Sequence, residues 1–394
     1  MSAPLVVAGA GIGGLTAALC LVRAGRRVTV IERAHLIEEV GAGLQIAPNA
    51  GRILAELGLE PAMRAASLEP RAIVIRRAAD AGVLARLPLE QSRARFGAPF
   101  RVFHRADLQN LLLTAAQSAG DIEIRTGTRV GAFGEAGDLV RLELRGDHGP
   151  ETLEAAGLVG ADGVRSAVRA HMIPSPADAP AYAGCTAWRA LIPAADVPAS
   201  LRERESNLWL MPGAHVVHYP LRDGEIVNVV VIVEDAASGG AANASLGLGG
   251  AELAQALGGA RLHADLRGLI EAAGSFRHWP LFMRPKLARW SRGAVTLLGD
   301  AAHPMVPFLA QGAAQAIEDA QALGAAIGQL GATPAGAFAA YERARMARAG
   351  KVQSASARQG VYFHMRGPVA FARDFAIRTL GGDGMMARNA WLYR

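Results

Sequence analysis

An α/β fold, in which a parallel-sheet domain is interleaved with an antiparallel-sheet domain and followed by a helical C-terminal segment, is predicted by three observations. GAGIGG at 9–14 lies between the apolar run Leu5 to Ala8 and a helix-like stretch. Far downstream, GDAAHPMVPFLAQGAAQAIEDA at 299–320 follows a second apolar run, Val295 to Leu298. Between them, residues 181–232 carry alternating, aromatic-containing segments of the kind found in antiparallel strands.

Composition bounds the function. At 394 residues and 51% hydrophobic content the chain can bury a large core, divided into two or three lobes. Its formal charge is +6, yet Lys286 and Lys351 are the only lysines and the arginines form no basic run, so no nucleic-acid surface is expected. Cys20 and Cys185 are far apart with no CxxC, which indicates neither a redox-active dithiol nor a metal cluster. The first 22 residues are apolar but lack a basic leader and contain Gly9, Gly11, Gly13 and Gly14. A nucleotide-binding turn explains them better than a signal or an integral membrane segment, and a cytoplasmic location is expected.

Taken in order, Leu5 to Ala8 reads as a buried strand, Gly13 to Ala24 as a helix ended near Gly25, and Val28 to Ile31 as a second strand followed directly by Glu32. This is a Rossmann-like βαβ unit. Gly9 permits the tight turn, Gly11 lets backbone approach a pyrophosphate, Gly14 lets helix pack on strand, and Glu32 falls where a ribose hydroxyl acceptor is expected. A helix starts near Pro48 and Asn49, and a hairpin joins Ala72–Arg77 to Val83–Pro88. In FRVFHRADLQNLLL, Arg105 stands at a helix entrance, as a ligand for phosphate or flavin or as a surface residue near a cap. Residues 122–145 read as a meander, and LVGADGVRSAVR at 158–169 as strand, turn and helix. There Arg165, Ser166 and Arg169 are suited to holding a turn or meeting a pyrophosphate.

The sheet region 181–232 is followed by an Ala, Gly and Ser-rich loop at 236–250, a helix near 262–273 and a strand around Phe276 to Phe282. Val295 to Leu298 then delivers Asp300 at the carboxyl end of a strand, where ligands of α/β sheets bind, and Pro304 and Pro307 fix the loop that follows. The alanine-rich helix after Gln311-Gly312 presents unpaired amides to an electron-rich group such as the pyrimidine edge of a flavin. Two glycine signatures at opposite ends of the chain thus point to one large dinucleotide. The expected organisation is a discontinuous FAD-binding domain at 1–70, 98–180 and 289–334, a substrate domain at 71–97 and 181–288, and a helical segment at 335–394.

With GAGIGG, GADGVRSAVR and GDAAHPMVPFLAQG in hand, the chain resembles the single-component flavin-dependent aromatic hydroxylases, the group that includes salicylate, 3-hydroxybenzoate and 6-hydroxynicotinate monooxygenases. HRADL at 104–108, AWR at 187–189, HVVHYP at 215–220 and WLY at 391–393 extend the resemblance over nearly the whole chain. It implies FAD as cofactor and NADH or NADPH as transient donor. Molecular oxygen would be activated as a flavin C4a-hydroperoxide, and the substrate would be a small phenolic or hydroxylated aromatic acid. A related FAD oxidoreductase or epoxidase acting on a larger apolar substrate is the alternative.

For individual residues, the resemblance places Gly9, Gly11, Gly14, Glu32, Arg33, Arg105, Val130 and Asp300 with FAD. Asp162 would support the FAD and nicotinamide pyrophosphates, and the amides of Gly312 and Ala313 would lie at the flavin pyrimidine. His215 and Tyr219, four residues apart and so on one face of a strand, would approach the substrate hydroxyl, and Pro307 would shape the oxygen-transfer face. Gln45 stands where hydroxynicotinate enzymes place a histidine, which lowers the weight of that substrate. Arg189 is open between pairing a substrate carboxylate and bracing the sheet, and His303 between a base and a loop-fixing residue. A homodimer is the expected assembly.

Overall fold

Strand Leu5–Ala8 is buried along its whole length because strands lie on both sides of it, Val28–Ile31 and Gly157–Gly160, each parallel and each itself buried. In the computed structural model, which describes residues 3–37, 42–147, 149–235, 247–330 and 333–394, the sheet runs Ser291–Arg292, Val295–Leu297, Gly157–Gly160, Leu5–Ala8, Val28–Ile31, Ile122–Arg125. All neighbours are parallel except the first pair. Continuous apolar runs suit strands covered on both faces.

Residues 122–125 correct the sequence reading. IEIR was assigned to a meander, but Ile122–Arg125 pairs parallel with Val28–Ile31, reached through the crossover helix Arg105–Ser118. Only Thr128–Ala136, Leu139–Gly146 and Gly149–Ala155 form the meander. The helix after the glycine turn is Ile12–Arg23, starting one residue earlier than read, and it packs on the late helix Gly312–Leu330. Gly13 and Gly324 mark their closest approach: a Cβ on Gly13 would lie 3.0 Å from the Ala316 side chain, and one on Gly324 2.8 Å from Cys20.

A seven-stranded sheet runs Arg277–Met283, Ala181–Pro193, Ile226–Glu234, Ala214–Leu221, Glu205–Met211, Ala72–Arg77, Val83–Pro88. The early hairpin therefore joins the late strands, with Ala72–Arg77 parallel to Glu205–Met211. One face, with Val216, Trp209 and Val229, packs on helices Gly250–Ala256 and Ala264–Glu271. Of the loop expected at 236–250, residues 236–246 lie outside the described residues. The helix expected at 262–273 is shorter, Ala264–Glu271. The opposite face carries three cross-strand rows: Ala187, Ile232, His215, Leu210; Arg189, Val230, Val217, Leu208; and Leu191, Asn228, Tyr219 with Ser206 one step before the Asn207–His218 pair. That face turns toward the Pro307–Leu309 turn through Phe308 and Leu281. Helices Pro334–Phe363 and Gly367–Tyr393 complete the chain.

Candidate active site

The glycine turn is built by exclusion. Gly9 has φ +107, and a Cβ there would sit 2.5 Å from the Ala161 carbonyl oxygen. A Cβ on Gly14, in the first turn of helix Ile12–Arg23, would fall 1.9 Å from the carbonyl oxygen of Gly9, the residue that follows strand Leu5–Ala8, so Gly14 lets the helix close on the end of that strand. Gly13 seats the same helix against Ala316 of the late helix and against Leu298. Around Gly11 a Cβ would meet nothing within 4 Å, which leaves the backbone open to a ligand. Glu32 accepts from Ala10 N at 2.8 Å and Ala34 N at 2.9 Å, so its carboxylate braces the turn from the end of the second strand. Arg33 beside it is exposed.

The late loop is held from three sides. Arg169, fully buried, grips Asp178 at 2.9 Å and donates to the carbonyls of Ala301 and Ala302, both at 3.1 Å. Arg284 meets the same Asp178 at 2.6 Å. The DG segment therefore clamps the chain just after Asp300. Asp162 itself accepts from Ala167 N at 2.7 Å and Val168 N at 3.2 Å, securing the start of the short helix Ala167–Met172. Gln353 donates to the Pro304 carbonyl at 2.7 Å and Ser356 to the Val306 carbonyl at 2.6 Å, so the long helix Pro334–Phe363 fixes the proline loop. Finally His303 Nε2 lies 2.6 Å from Asp319, which also accepts from Gly299 N at 3.1 Å and from Arg345 at 2.7 Å. His303 is a buried loop-fixing residue, the second of its two sequence readings.

These elements surround one cavity of about 640 Å³. Gly11 and Gly13 of the turn, Arg105, Asp300, Pro307, Gly312 and Ala313 all line it, together with Arg189, Trp279 and Phe282 from the sheet. Asp300 is accessible on the cavity wall but surrounded by protein, and that surrounding pushes its carboxyl above the usual range against the opposing charges of His303 and Arg105. Helix Gly312–Leu330 begins on the cavity, so its free amides and positive dipole end are available to a ligand. An open glycine turn, a basic and an acidic side chain facing one another and a helix start on one cavity fit an extended, partly anionic dinucleotide.

Apart from Arg189, the other sequence candidates lie behind this wall. Val130 is buried in the main core, so its side chain is a packing residue. Gln45 donates to Ser206 at 3.0 Å, tying Gly43–Ile46 to the large sheet. Tyr219 is buried among Leu68, Val102 and Leu221, beside Gly43, where a Cβ would fall 2.6 Å from its hydroxyl. His215 is buried against Phe308 and Phe363. Arg189 stacks over Trp279 with its guanidinium carbon 5.4 Å from the ring centroid. The pair His215 and Tyr219 does share a face, as alternation requires, and neither lines the cavity in this conformation.

The fold and cavity define a dinucleotide-dependent enzyme with an aromatic-lined flank. The chain belongs to the FAD binding domain family, whose model it matches over residues 2–356. It is 36% identical to the 3-hydroxybenzoate 6-hydroxylase of Polaromonas naphthalenivorans (strain CJ2), over 99% of this chain and 95% of that protein. It is 37% identical to the 3-amino-4-hydroxybenzoate 2-monooxygenase of Streptomyces cremeus, over 99% and 94%. In fold it is similar to Klebsiella pneumoniae HpxO complexed with FAD and uric acid, at a TM-score of 0.86 and 24% identity over 99% of this chain and 96% of that one. The chain is an FAD-dependent aromatic-ring monooxygenase.

Proposed function

We propose that the enzyme hydroxylates a small phenolic acid of the hydroxybenzoate type, bound between the His215–Tyr219 face of the large sheet and the Pro304–Ala310 loop. The observation that carries this reading is the register of that face, which aligns His215, Val217 and Tyr219 in one column, with Arg189 of the same face on the cavity and His215 against Phe308 of the loop. When bound, FAD supplies oxygen activation at the expense of NADH or NADPH. Gly9, Gly11, Gly14, Glu32, Arg33 and Arg105 would hold its ADP half and phosphates, Asp300 the ribityl chain, and the Gly312 and Ala313 amides the pyrimidine edge. Val130 would contribute only backbone, and Asp162 acts by securing the adjoining turn.

On the substrate side, Arg189 would pair a carboxylate. Residues four apart on a strand are about 13 Å apart, so His215 and Tyr219 would bracket a ring over Val217 rather than meet on one atom. Burial pushes the Tyr219 phenol well above its ordinary range, so it acts as a neutral donor to the substrate. Pro307 keeps its rigid turn on the cavity, and Gln45 acts by holding its strand against Ser206. Molecular oxygen is the co-substrate, the assembly a homodimer and the location cytoplasmic in this reading. No described helix is long and apolar enough to cross a membrane.

The test is a panel of hydroxybenzoates and hydroxypyridines, each scored for accelerated NADH or NADPH oxidation. Acceleration by a hydroxybenzoate supports the proposal, and acceleration confined to ring compounds without a carboxylate contradicts it. Tyr219→Phe is expected to lower product yield about tenfold, the worth of roughly one hydrogen bond, while FAD content stays the same. An unchanged yield removes the role given to Tyr219.

A further inference from the structure

His215 does not stand alone behind the sheet. Its Nδ1 lies 2.7 Å from Nε2 of His364, and His364 Nδ1 lies 3.1 Å from Oε1 of Glu234. The other Glu234 oxygen accepts from Arg366 at 2.9 Å. Both histidines are buried, whereas the Glu234 side chain is 41% exposed, so the chain of contacts runs from the sheet interior to solvent. Its backbone is fixed as well. Gly213 N donates to the His364 carbonyl at 3.1 Å, and Glu234 N donates to the Gly213 carbonyl at 2.9 Å. Gly213 adopts φ +71, and a Cβ there would strike the Arg366 guanidinium at 2.2 Å.

The direction of the hydrogen bonds follows from what each group can do. A carboxylate only accepts, and a neutral imidazole has one donor and one acceptor nitrogen. Glu234 therefore requires the His364 proton on Nδ1, which leaves Nε2 as an acceptor. That acceptor requires the His215 proton on Nδ1, and the lone pair is left on His215 Nε2. Burial lowers His215 well below its ordinary range, and burial lowers His364 as well, so both rings are neutral at pH 7. The other charges near the pair are Arg366 and Arg373, and Arg373 is engaged by the Phe363 carbonyl and Asp374. Phe308 and Phe363 cover His215 at ring centroid distances of 5.4 and 5.1 Å.

We infer that Glu234 and His364 are positioning residues that lock His215 in the Nδ1–H tautomer, so that Nε2 is the nitrogen offered to a substrate hydroxyl. The offered nitrogen rests on the role proposed above for His215; the tautomer itself does not. Histidine-selective nitrogen-15 NMR of the substrate-free holoenzyme reads it directly, with the His215 signals identified by their loss in His215→Gln. The expected spectrum has the proton on Nδ1 of both rings. Glu234→Gln keeps the side chain's size but can donate as well as accept, so a second His215 signal protonated on Nε2 is expected. With 3-hydroxybenzoate as the probe, the pH at which the bound phenol ionises, read by its ultraviolet absorbance, should rise in the same variant. A wild-type His215 protonated on Nε2 overturns the inference, as does a Glu234→Gln protein that moves neither readout. Should Glu234→Gln not fold, the wild-type spectrum still decides. A locked tautomer in an enzyme that turns over no phenol supports the lock and overturns only the proposed substrate.

Discussion

Arg345→Ala is expected to cost about 3–5 kcal/mol of folding stability, the penalty for leaving buried charge uncompensated. The guanidinium is buried and meets Asp319 at 2.7 Å, Glu318 at 2.5 Å and the Gln315 side chain at 2.8 Å. Asp319 is wholly buried and loses its guanidinium partner. Because Asp319 also holds Gly299 N and His303, the damage reaches the cavity, and FAD content should fall with stability. Arg348, which shares Glu318 but is more exposed, should cost far less as Arg348→Ala. Thermal or urea denaturation of the two variants decides, and equal stability losses would contradict this ranking. Acid behaviour follows from the same network. Burial alone would raise Asp319, but the charges and hydrogen bonds of His303 and Arg345 outweigh it and hold the carboxyl at about 2. Its contribution is therefore complete above about pH 4, the ordinary carboxylate pKa, and is lost as pH falls toward 2. A pH-stability curve flat from pH 4 to 2 would contradict that assignment.

Asp300→Ala is expected to weaken FAD binding about 10- to 100-fold, the worth of a charge-assisted hydrogen bond of about 1.5–3 kcal/mol. The fold should survive, because the bonds that hold the loop run through Asp319, Arg169, Gln353 and Ser356 rather than through the Asp300 carboxylate. Equilibrium dialysis with FAD, alongside circular dichroism, separates the two effects. An FAD dissociation constant unchanged from that of the wild type would sink the assignment of Asp300 to the cofactor.

What could be read from the chain depended on whether the constraint was local. Gly9 and Gly14 were legible because the turn itself forbids a side chain at both, through a positive φ or a backbone oxygen 1.9 Å away. Asp300 was legible as the residue ending a buried strand. Gly13 was read as part of the turn and the start of the helix, but its contact with Ala316 was missed, because that partner is about three hundred residues away and no local pattern announces it. For the same reason IEIR at 122–125 was given to the wrong sheet: alternation identifies a strand but not its partner, and the crossover helix decided the pairing. Arg169 was seen as a pyrophosphate or turn residue. Its turn role prevails because Asp178 and the carbonyls after Asp300 take up its guanidinium. His364 carried no signal at all, since its partner His215 lies 149 residues away.

Insertion of oxygen into an aromatic ring is the central activity of the enzyme. Mass analysis of the product formed under isotopically heavy oxygen gas, with NADH and the panel member that most accelerates its oxidation, tests it most directly. One heavy oxygen atom is expected in the ring of the product for each NADH consumed in a coupled turnover. NADH consumption with the aromatic compound recovered unlabelled and unchanged, across every member of the panel, would contradict it.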